Sequence, residues 1–297
     1  MVKSINEQLK CNYFLKKIIF LSLISIFILL FDISNSQAKE TCFQNNLYCV
    51  DTVTTDDITA IYVKSNQTYD ITVTLKFTTF ENVEADIDLP FIETIEPNSK
   101  VNILNLHILD KTKKWNYRYL TLGVKGSIDA EPDYDHIYSL PYESGQTFKV
   151  SQGFNGKFSH NGEQIYAVDW SMPIGTPIYA ARDGVVAAIE SRNTIGGPDK
   201  KLGDKANYIY IKHSDDTLGA YLHLKQNGVR VKLGQKVKAG DFIGLSGNTG
   251  WTGGPHLHFW VYKVKDDGTM RESIPITFET SDQDETVLIQ GKSYTAP

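Results

Sequence analysis

Cysteine is scarce in this sequence, and basic residues do not outnumber acidic ones. The 297 residues include three cysteines, 30 Lys and Arg, and 35 Asp and Glu, which gives a formal net charge of −5. Nucleic-acid-binding proteins normally carry a basic surplus, so we expect no nucleic-acid partner. The 41% of hydrophobic and 22% of charged residues are ordinary values for a globular protein. They exclude a disordered or collagen-like chain.

The N-terminus also lacks a hydrophobic run long enough for a permanent membrane anchor. Lysines precede an uncharged apolar stretch over residues 18–31, which is shorter than the roughly 20 residues that a membrane-spanning helix needs. Ser36-Gln37-Ala38 follows with small residues, so residues 1–38 are predicted to be a cleaved signal peptide. The alternative is an uncleaved anchor. A signal peptide predicts an exported protein, periplasmic or secreted into the cell envelope, with no stable membrane span after cleavage.

Two of the three cysteines, Cys42 and Cys49, remain after this cleavage. An even pair of cysteines in an exported protein is typical of a disulfide. We therefore predict a disulfide between Cys42 and Cys49 that closes a small loop. The alternative is a pair of free thiols.

The sequence after the signal peptide has the pattern of short strands. Apolar and polar residues alternate strictly over residues 69–77, which indicates a half-buried strand. Residues 100–109 and 114–124 are further strand candidates, and no helical period separates them. This spacing predicts a β-sandwich-like accessory domain over residues 39–130.

A change in composition and strand pattern marks the predicted second domain. Residues 131–146 are rich in proline, acids and tyrosine, and we predict a linker there. Residues 147–268 have frequent glycines and short strand patterns, which predict a second β domain with long loops. Residues 269–297 are predicted to be a C-terminal extension that packs on its core. The fold class is therefore all-β.

The loop over residues 194–206 is predicted to be either a wall of a cleft or a mobile surface loop.

The most informative local feature is His256-Leu257-His258. In a strand, residues i and i+2 point to the same face, so both imidazoles are predicted to project together while Leu257 enters the core.

The same alternation over residues 219–224 predicts that Tyr221 and His223 share one strand face, opposite Leu222 and its apolar neighbours. His213, by contrast, lies at a charged strand end and is predicted to be exposed.

The histidines and the aspartate that occur together in the predicted second domain are best explained by a metal site. His160 and Asp169 add a third locus to the two predicted histidine-bearing strands. Catalytic zinc takes three protein ligands from His, Asp or Glu and leaves a fourth position open. Two histidines and one aspartate would satisfy this requirement, and two further histidines would remain to handle protons.

A series of motifs in the second domain resembles the lysostaphin-type, or LytM-like, zinc metallopeptidases. These motifs occur in the family's order, and they are Ser151-Gln152-Gly153-Phe154, His160 to Asp169, residues 174–181, residues 184–186, Tyr221-Leu222-His223, residues 237–244, residues 246–250, and Gly254-Pro255-His256-Leu257-His258-Phe259.

The resemblance implies a role for each candidate residue. His160, Asp169 and His258 match the metal ligands of the family, and His223 and His256 match the pair that activates and orients the attacking water. It further implies one Zn²⁺ per chain and a substrate among the peptides of bacterial peptidoglycan. We expect the protein to act as a monomer.

One departure from the family pattern concerns the first two ligands. Many members place this histidine and aspartate four positions apart, whereas His160 and Asp169 are nine apart. The extra residues must loop out if both side chains reach one metal, and Asn161, Gly162 and Glu163 are predicted to form the necessary turn.

Three functions are compatible with these patterns. The first is a zinc-dependent endopeptidase that hydrolyses peptide bonds in peptidoglycan stem peptides or cross-bridges. The second is a non-catalytic binding or activator module of other cell-wall hydrolases. The third is a metallopeptidase that acts on protein substrates.

Overall fold

The computed structural model describes residues 40–297, which all belong to the compact unit Ser34–Pro297. The predicted signal peptide lies outside the described residues. Strands dominate, and the helices within residues 40–297 are the two 3₁₀ helices Gly162–Gln164 and Lys200–Lys205. The all-β prediction is therefore confirmed. None of the helices in this part of the chain has the length and apolar character required to cross a membrane.

Two antiparallel sheets form the first half of the described chain. The strands are β1 (Thr41–Phe43), β2 (Tyr48–Thr55), β3 (Ile58–Lys64), β4 (Ile71–Glu81), β5 (Val83–Ala85), β6 (Phe91–Ile95), β7 (Lys100–Ile108) and β8 (Asn116–Lys125). One sheet has the order β1-β2-β3-β7-β5, and the other has the order β6-β4-β8. Buried side chains from both sheets, such as Val50 and Ile61 on one and Val73 and Tyr117 on the other, form one core that we call the shared cluster.

Strand β4 confirms the alternation seen in the sequence. Ile71, Val73 and Leu75 are fully buried in the shared cluster. Its opposite face is covered as well, because the Thr72 hydroxyl is buried and donates a hydrogen bond to the Gly126 carbonyl at 3.0 Å. A strand that alternates in sequence thus has contacts on both faces.

The predicted disulfide is present between Cys42 and Cys49. These residues face each other across the antiparallel pair β1–β2. The covalent bond therefore closes the first hairpin of the described chain.

The second half is built on one large sheet. Its strands are β9 (Ile137–Tyr138), β10 (Thr147–Gln152), β11 (Val168–Ser171), β12 (Pro177–Tyr179), β13 (Gly184–Glu190), β14 (Gly196–Gly197), β15 (Tyr208–Lys212), β16 (Leu218–Leu222), β17 (Lys236–Val237), β18 (Phe242–Leu245), β19 (Gly250–Trp251), β20 (His256–Val264), β21 (Arg271–Ser273), β22 (Thr277–Thr280), β23 (Gln283–Thr286) and β24 (Ser293–Thr295). The large sheet has the order β17-β13-β15-β16-β20-β11-β10-β24, and β21 also pairs with β20. Smaller pairings are β12-β18, β14-β19 and β23-β22-β9.

The large sheet is covered on both faces, and this determines where a site can form. One face carries Trp170, Leu257 and Phe259 into a core that we call the C-terminal cluster. The other face carries Trp260 and Tyr262 into the shared cluster, so it packs on the two sheets of the first half, which we call the sandwich. By strand alternation, His256 and His258 lie on this second face, beyond the part that the sandwich covers.

The domain boundaries drawn from the sequence stay a prediction. Residues 131–146 supply the buried side chains Tyr138, Leu140 and Tyr142 to the C-terminal cluster. Residues 269–297 supply Phe278 to the same cluster and add β24 to the sheet beside β10.

The prediction that His213 is exposed is wrong, because only 2% of the residue is accessible. Strand β15 ends one residue earlier, and the His213 ring turns inward, with Nδ1 3.0 Å from the carbonyl oxygen of Asp183. Gly219 makes room for this ring, since a Cβ there would lie 2.8 Å from His213 Nε2. Burial lowers the pKa of His213 to about 4, although the hydrogen bond to Asp183 opposes the shift.

We expect His213 to make the protein less stable in acid. Its folded-state pKa of about 4 lies below the unfolded value of about 6.5, so its contribution is complete above pH 6.5 and is lost as the pH falls toward 4. Protonation favours the unfolded chain by up to about 3 kcal/mol. Denaturant unfolding at pH 7.5 and pH 4 measures the fall in the free energy of unfolding between these pH values. We expect this fall to be smaller by about that amount in a His213→Gln variant than in the wild type. Equal losses in both proteins would contradict the prediction. The pKa of His213 also depends on the charges of Arg182, Asp215 and His136, and these residues are the same in the wild type and the variant.

Candidate metal centre

An open cleft of about 880 Å³ lies over the uncovered part of the large sheet. Its floor contains Asp169, His223, His256 and His258. Four of the five predicted site residues therefore line one cavity. The fifth, His160, lies beside them beneath the surface, with 1% of the residue accessible.

His256 and His258 occupy the positions that the strand pattern predicted. Both belong to β20 and project from the same face, while Leu257 between them is fully buried. The antiparallel register pairs His258 with Asp169 of β11. Neighbouring strands thus bring a histidine and a carboxylate together, with Nδ1 of His258 2.8 Å from Oδ1 of Asp169.

His160 reaches the same carboxylate from a loop. Its Nε2 lies 3.2 Å from Oδ1 of Asp169. The extra residues between these two positions form the 3₁₀ helix Gly162–Gln164, so the predicted turn is present. Glu163 in this helix pairs with Arg271 of β21 at 2.6 Å. The long spacing is therefore accommodated by an insertion that is fastened to the sheet.

His223 is close to the other histidines, but its predicted place in a strand is wrong. Strand β16 ends at Leu222, and His223 has a positive φ of 64°. The left-handed backbone turns the next residue, Leu224, into the C-terminal cluster instead of placing it on the face of Leu222. The His223 ring lies 4.6 Å from the His256 ring, centroid to centroid.

The donor atoms of His160, Asp169 and His258 can hold a metal ion, since all lie within 4.8 Å of one another. Tetrahedral Zn²⁺, with bonds of about 2.0–2.1 Å, holds neighbouring donors about 3.3 Å apart. The 3.2 Å and 2.8 Å separations of the two histidines from Asp169 Oδ1 are near this value. His223, His256 and His258 form a second possible group that shares His258.

The hydrogen bonds of His160 give an independent reason to expect a cation. Its Nδ1 lies 2.8 Å from the carbonyl oxygen of Gly153, and a carbonyl only accepts, so Nδ1 carries the proton. In the neutral ring, Nε2 is then an acceptor that faces an Asp169 oxygen. This nitrogen has no hydrogen-bond partner within residues 40–297. A metal ion bound to both atoms removes this conflict.

Burial and mutual charge control protonation in this group. Burial alone would raise the pKa of Asp169, but His258 and His256 hold that pKa well below its usual range. Burial lowers the pKa of His258, and the Asp169 charge opposes the shift. Burial, helped by His256 and His258, lowers the pKa of His223 to about 3. His223 is therefore neutral at physiological pH.

The tautomers of His223 and His256 follow from their carbonyl partners. Nδ1 of His223 donates to the Thr249 carbonyl at 2.7 Å, and Nδ1 of His256 donates to the Gly254 carbonyl at 2.8 Å. Nδ1 therefore carries a proton in both rings, and Nε2 is the position at which either ring, when neutral, accepts a proton. The two loops that precede β20 thus orient both imidazoles.

The loop over residues 194–206 contributes to the cleft wall, which was one of its two predicted roles. Gly203 and Ala206 line the cavity. Gly196 and Gly197 pair in parallel with Gly250 and Trp251, which ties this loop to the segment before β20.

Gln152 was not among the predicted site residues, yet it lines the cleft and contacts Asp169. A signal for it exists in the sequence. The alternation of Phe148 and Val150 in β10 predicts that the next alternate residue, Gln152, is also enclosed, and Gln152 is buried, although a register irregularity after Val150 turns it toward Asp169. A polar side chain at a buried position requires hydrogen-bond partners.

Residues 163–270 match the family model of peptidase family M23, so the chain contains a domain of that family. The sequence is 40% identical over 118 residues to the peptidoglycan DD-endopeptidase ShyA of Vibrio cholerae serotype O1, covering 39% of this chain and 24% of the relative. It is 39% identical over 100 residues to the glycyl-glycine endopeptidase ALE-1 of Staphylococcus capitis, covering 33% and 25%. The chain thus spans about a quarter of the length of these relatives.

Among solved structures, the catalytic domain of the prophage-encoded M23 protein EnpA from Enterococcus faecalis matches 46% of this chain and 93% of its own. The sequence identity is 27% and the TM-score is 0.34. The resemblance to a zinc metallopeptidase family is confirmed by the family match and the relatives.

Proposed function

We propose that this protein is a zinc-dependent endopeptidase that hydrolyses peptide bonds in peptidoglycan stem peptides or cross-bridges. One observation carries the proposal: a metal-binding group and two further histidines, each with its Nδ1–H bonded to a backbone carbonyl, meet at the floor of an open cleft. The relatives named as a peptidoglycan DD-endopeptidase and a glycyl-glycine endopeptidase support this substrate class. The complete set of donor side chains argues against the non-catalytic alternative.

We assign one Zn²⁺ to His160, Asp169 and His258. Imidazole nitrogen and carboxylate oxygen are common zinc ligands, and three protein ligands leave a position open for catalysis. When bound, Zn²⁺ supplies a Lewis acid for the peptide carbonyl and lowers the pKa of a coordinated water molecule. One chain provides all five side chains, which supports activity as a monomer.

His223 and His256 move protons in this proposal. His223 is neutral and presents Nε2 as an acceptor, so it can take a proton from the attacking water. Either ring, once protonated at Nε2, can donate to the developing oxyanion or to the leaving amine. The Thr249 and Gly254 carbonyls keep the Nδ1–H bonds, so the exchangeable position is the one that faces the cleft.

The activity is tested by mass spectrometry of muropeptides after the purified zinc-loaded chain has been incubated with intact peptidoglycan. We expect cross-linked dimers to decrease and monomers to increase, and the product masses identify the bond. An unchanged muropeptide profile, with zinc bound, would reject the proposed substrate. Cleavage of unrelated proteins at a comparable rate would favour the third alternative.

We further propose that the protein works outside the cytoplasm, in the periplasm or the cell envelope. Support comes from the predicted signal peptide and from the Cys42–Cys49 disulfide, a bond that persists in oxidising compartments. Fractionation of cells that express the full chain measures this location. Recovery with the cytoplasmic proteins would contradict it.

An aromatic pair on the cleft wall is expected to bind substrate. Phe158 is 60% exposed, and its ring centroid lies 5.6 Å from that of Trp251, which also lines the cleft. When a ligand covers an exposed aromatic side chain, the removal of its apolar surface from water contributes favourable binding free energy. We expect Phe158→Ala to raise KM by about 10-fold, as for a typical aromatic contact residue, with little change in kcat.

Steady-state hydrolysis of a peptidoglycan peptide measures this effect. Leu109→Ala is the matched control, because Leu109 is equally exposed but lies just after β7 in the sandwich. A KM for Phe158→Ala equal to that of the control would show that the aromatic pair does not contact substrate.

A further inference from the structure

Gln152 connects the carboxylate of the metal centre to the loop that carries His160. Its Nε2 donates to Oδ2 of Asp169 at 3.0 Å and to Oγ of Ser159 at 2.7 Å. Its Oε1 accepts from the backbone N–H groups of Phe158 at 2.9 Å and Ser159 at 3.1 Å. Only 6% of the residue is accessible. One buried amide therefore uses both of its ends.

The backbone around Gln152 is shaped for this role. An irregularity in the register of β10 and β11 aligns Gln152 directly with Asp169. Gly156 leaves space for the side chain, since a Cβ there would lie 2.1 Å from Gln152 Cγ. The next carbonyl, that of Gly153, accepts the hydrogen bond from His160 Nδ1. These three features of residues 152–156 thus position the same two ligands, Asp169 and His160.

The hydrogen bonds divide the two oxygens of Asp169 between different tasks. Oδ2 is occupied by Gln152, while Oδ1 faces His160 and His258. The carboxylate can therefore offer one defined oxygen to a metal ion. Because Phe158 and Ser159 immediately precede His160, the other end of the amide restricts where that imidazole lies.

We propose that Gln152 is a positioning residue of the metal centre, which sets the orientation of Asp169 and the position of His160 through one buried amide. This inference rests on the proposed zinc-dependent function. Groups that orient metal ligands typically change metal affinity or activity by 10- to 100-fold when they are replaced.

The Gln152→Glu variant separates the two ends of the amide. The new carboxylate keeps an oxygen acceptor for the Phe158 and Ser159 N–H groups but places a second oxygen against Oδ2 of Asp169. We expect the affinity for Zn²⁺, measured on the full chain by competition with a chelator, to fall by about 10- to 100-fold. We expect kcat to fall with it while KM stays nearly unchanged. Gln146→Glu, at an exposed position, introduces the same charge and should leave both quantities unchanged.

A purely structural role gives a different result. It would lower the unfolding temperature of the metal-free protein and leave the Zn²⁺ affinity unchanged, and that result would overturn the inference. If Gln152→Glu does not fold, Gln152→Met, which has similar length and no amide, is measured instead with the same expectation. Failure of the wild-type chain to bind Zn²⁺ would overturn the proposed function as well, whereas wild-type and variant chains that bind Zn²⁺ equally would overturn this inference alone.

Discussion

Replacement of His223 with Ala is expected to lower kcat for peptide hydrolysis by about 10²- to 10⁴-fold, the usual contribution of a general acid or base. His223 is neutral because burial lowers its pKa to about 3, and its Nδ1 is committed to the Thr249 carbonyl. Its Nε2 is therefore free to accept a proton. Because His160, Asp169 and His258 form a complete ligand group without it, we expect the variant to bind Zn²⁺ as the wild type does.

Two measurements decide this prediction together. Hydrolysis of a peptidoglycan peptide gives kcat, and metal analysis of the dialysed protein gives the zinc content. His136→Ala is the control, because His136 lies in the segment before β9 and does not line the cleft. Loss of zinc from the His223→Ala protein would place His223 among the ligands instead, as in the second metal-binding group.

Replacement of Asp169 with Ala is expected to remove zinc binding and, with it, all measurable hydrolysis. Oδ1 of Asp169 is the atom that both other ligands approach, at 3.2 Å from His160 and 2.8 Å from His258. Without it, two imidazole ligands remain and the site loses its only carboxylate. We expect the Zn²⁺ affinity to fall by more than about 100-fold, beyond the effect of losing an orienting group.

Chelator competition on the variant chain measures the affinity, and hydrolysis at increasing Zn²⁺ concentration shows whether activity returns. Asp266→Ala is a suitable control, since its side chain is 88% exposed and pairs with Lys263 at the surface. Wild-type affinity in the Asp169→Ala chain would contradict the assignment of this ligand group.

The amino-acid sequence by itself determined the features that depend on local pattern. Strand alternation is a property of neighbouring residues, so His256 and His258 were predicted to share a face, and they do. The all-β class and the disulfide of Cys42 with Cys49 followed from composition and short spacing, and both are present. The residues of the candidate site could be named from the sequence because each lies in a short motif of consecutive residues.

The tertiary structure decided what depends on residues distant in the chain. His223 lies outside the strand because its backbone is left-handed, and its ring is hydrogen-bonded to the Thr249 carbonyl. His213 is buried because Gly219 leaves space for its ring and the Asp183 carbonyl accepts its hydrogen bond. The role of Gln152 appears only when β10 lies beside β11. Alternation specifies which way a side chain points within a strand, but the end of a strand and the partners of a buried polar group are set by long-range packing.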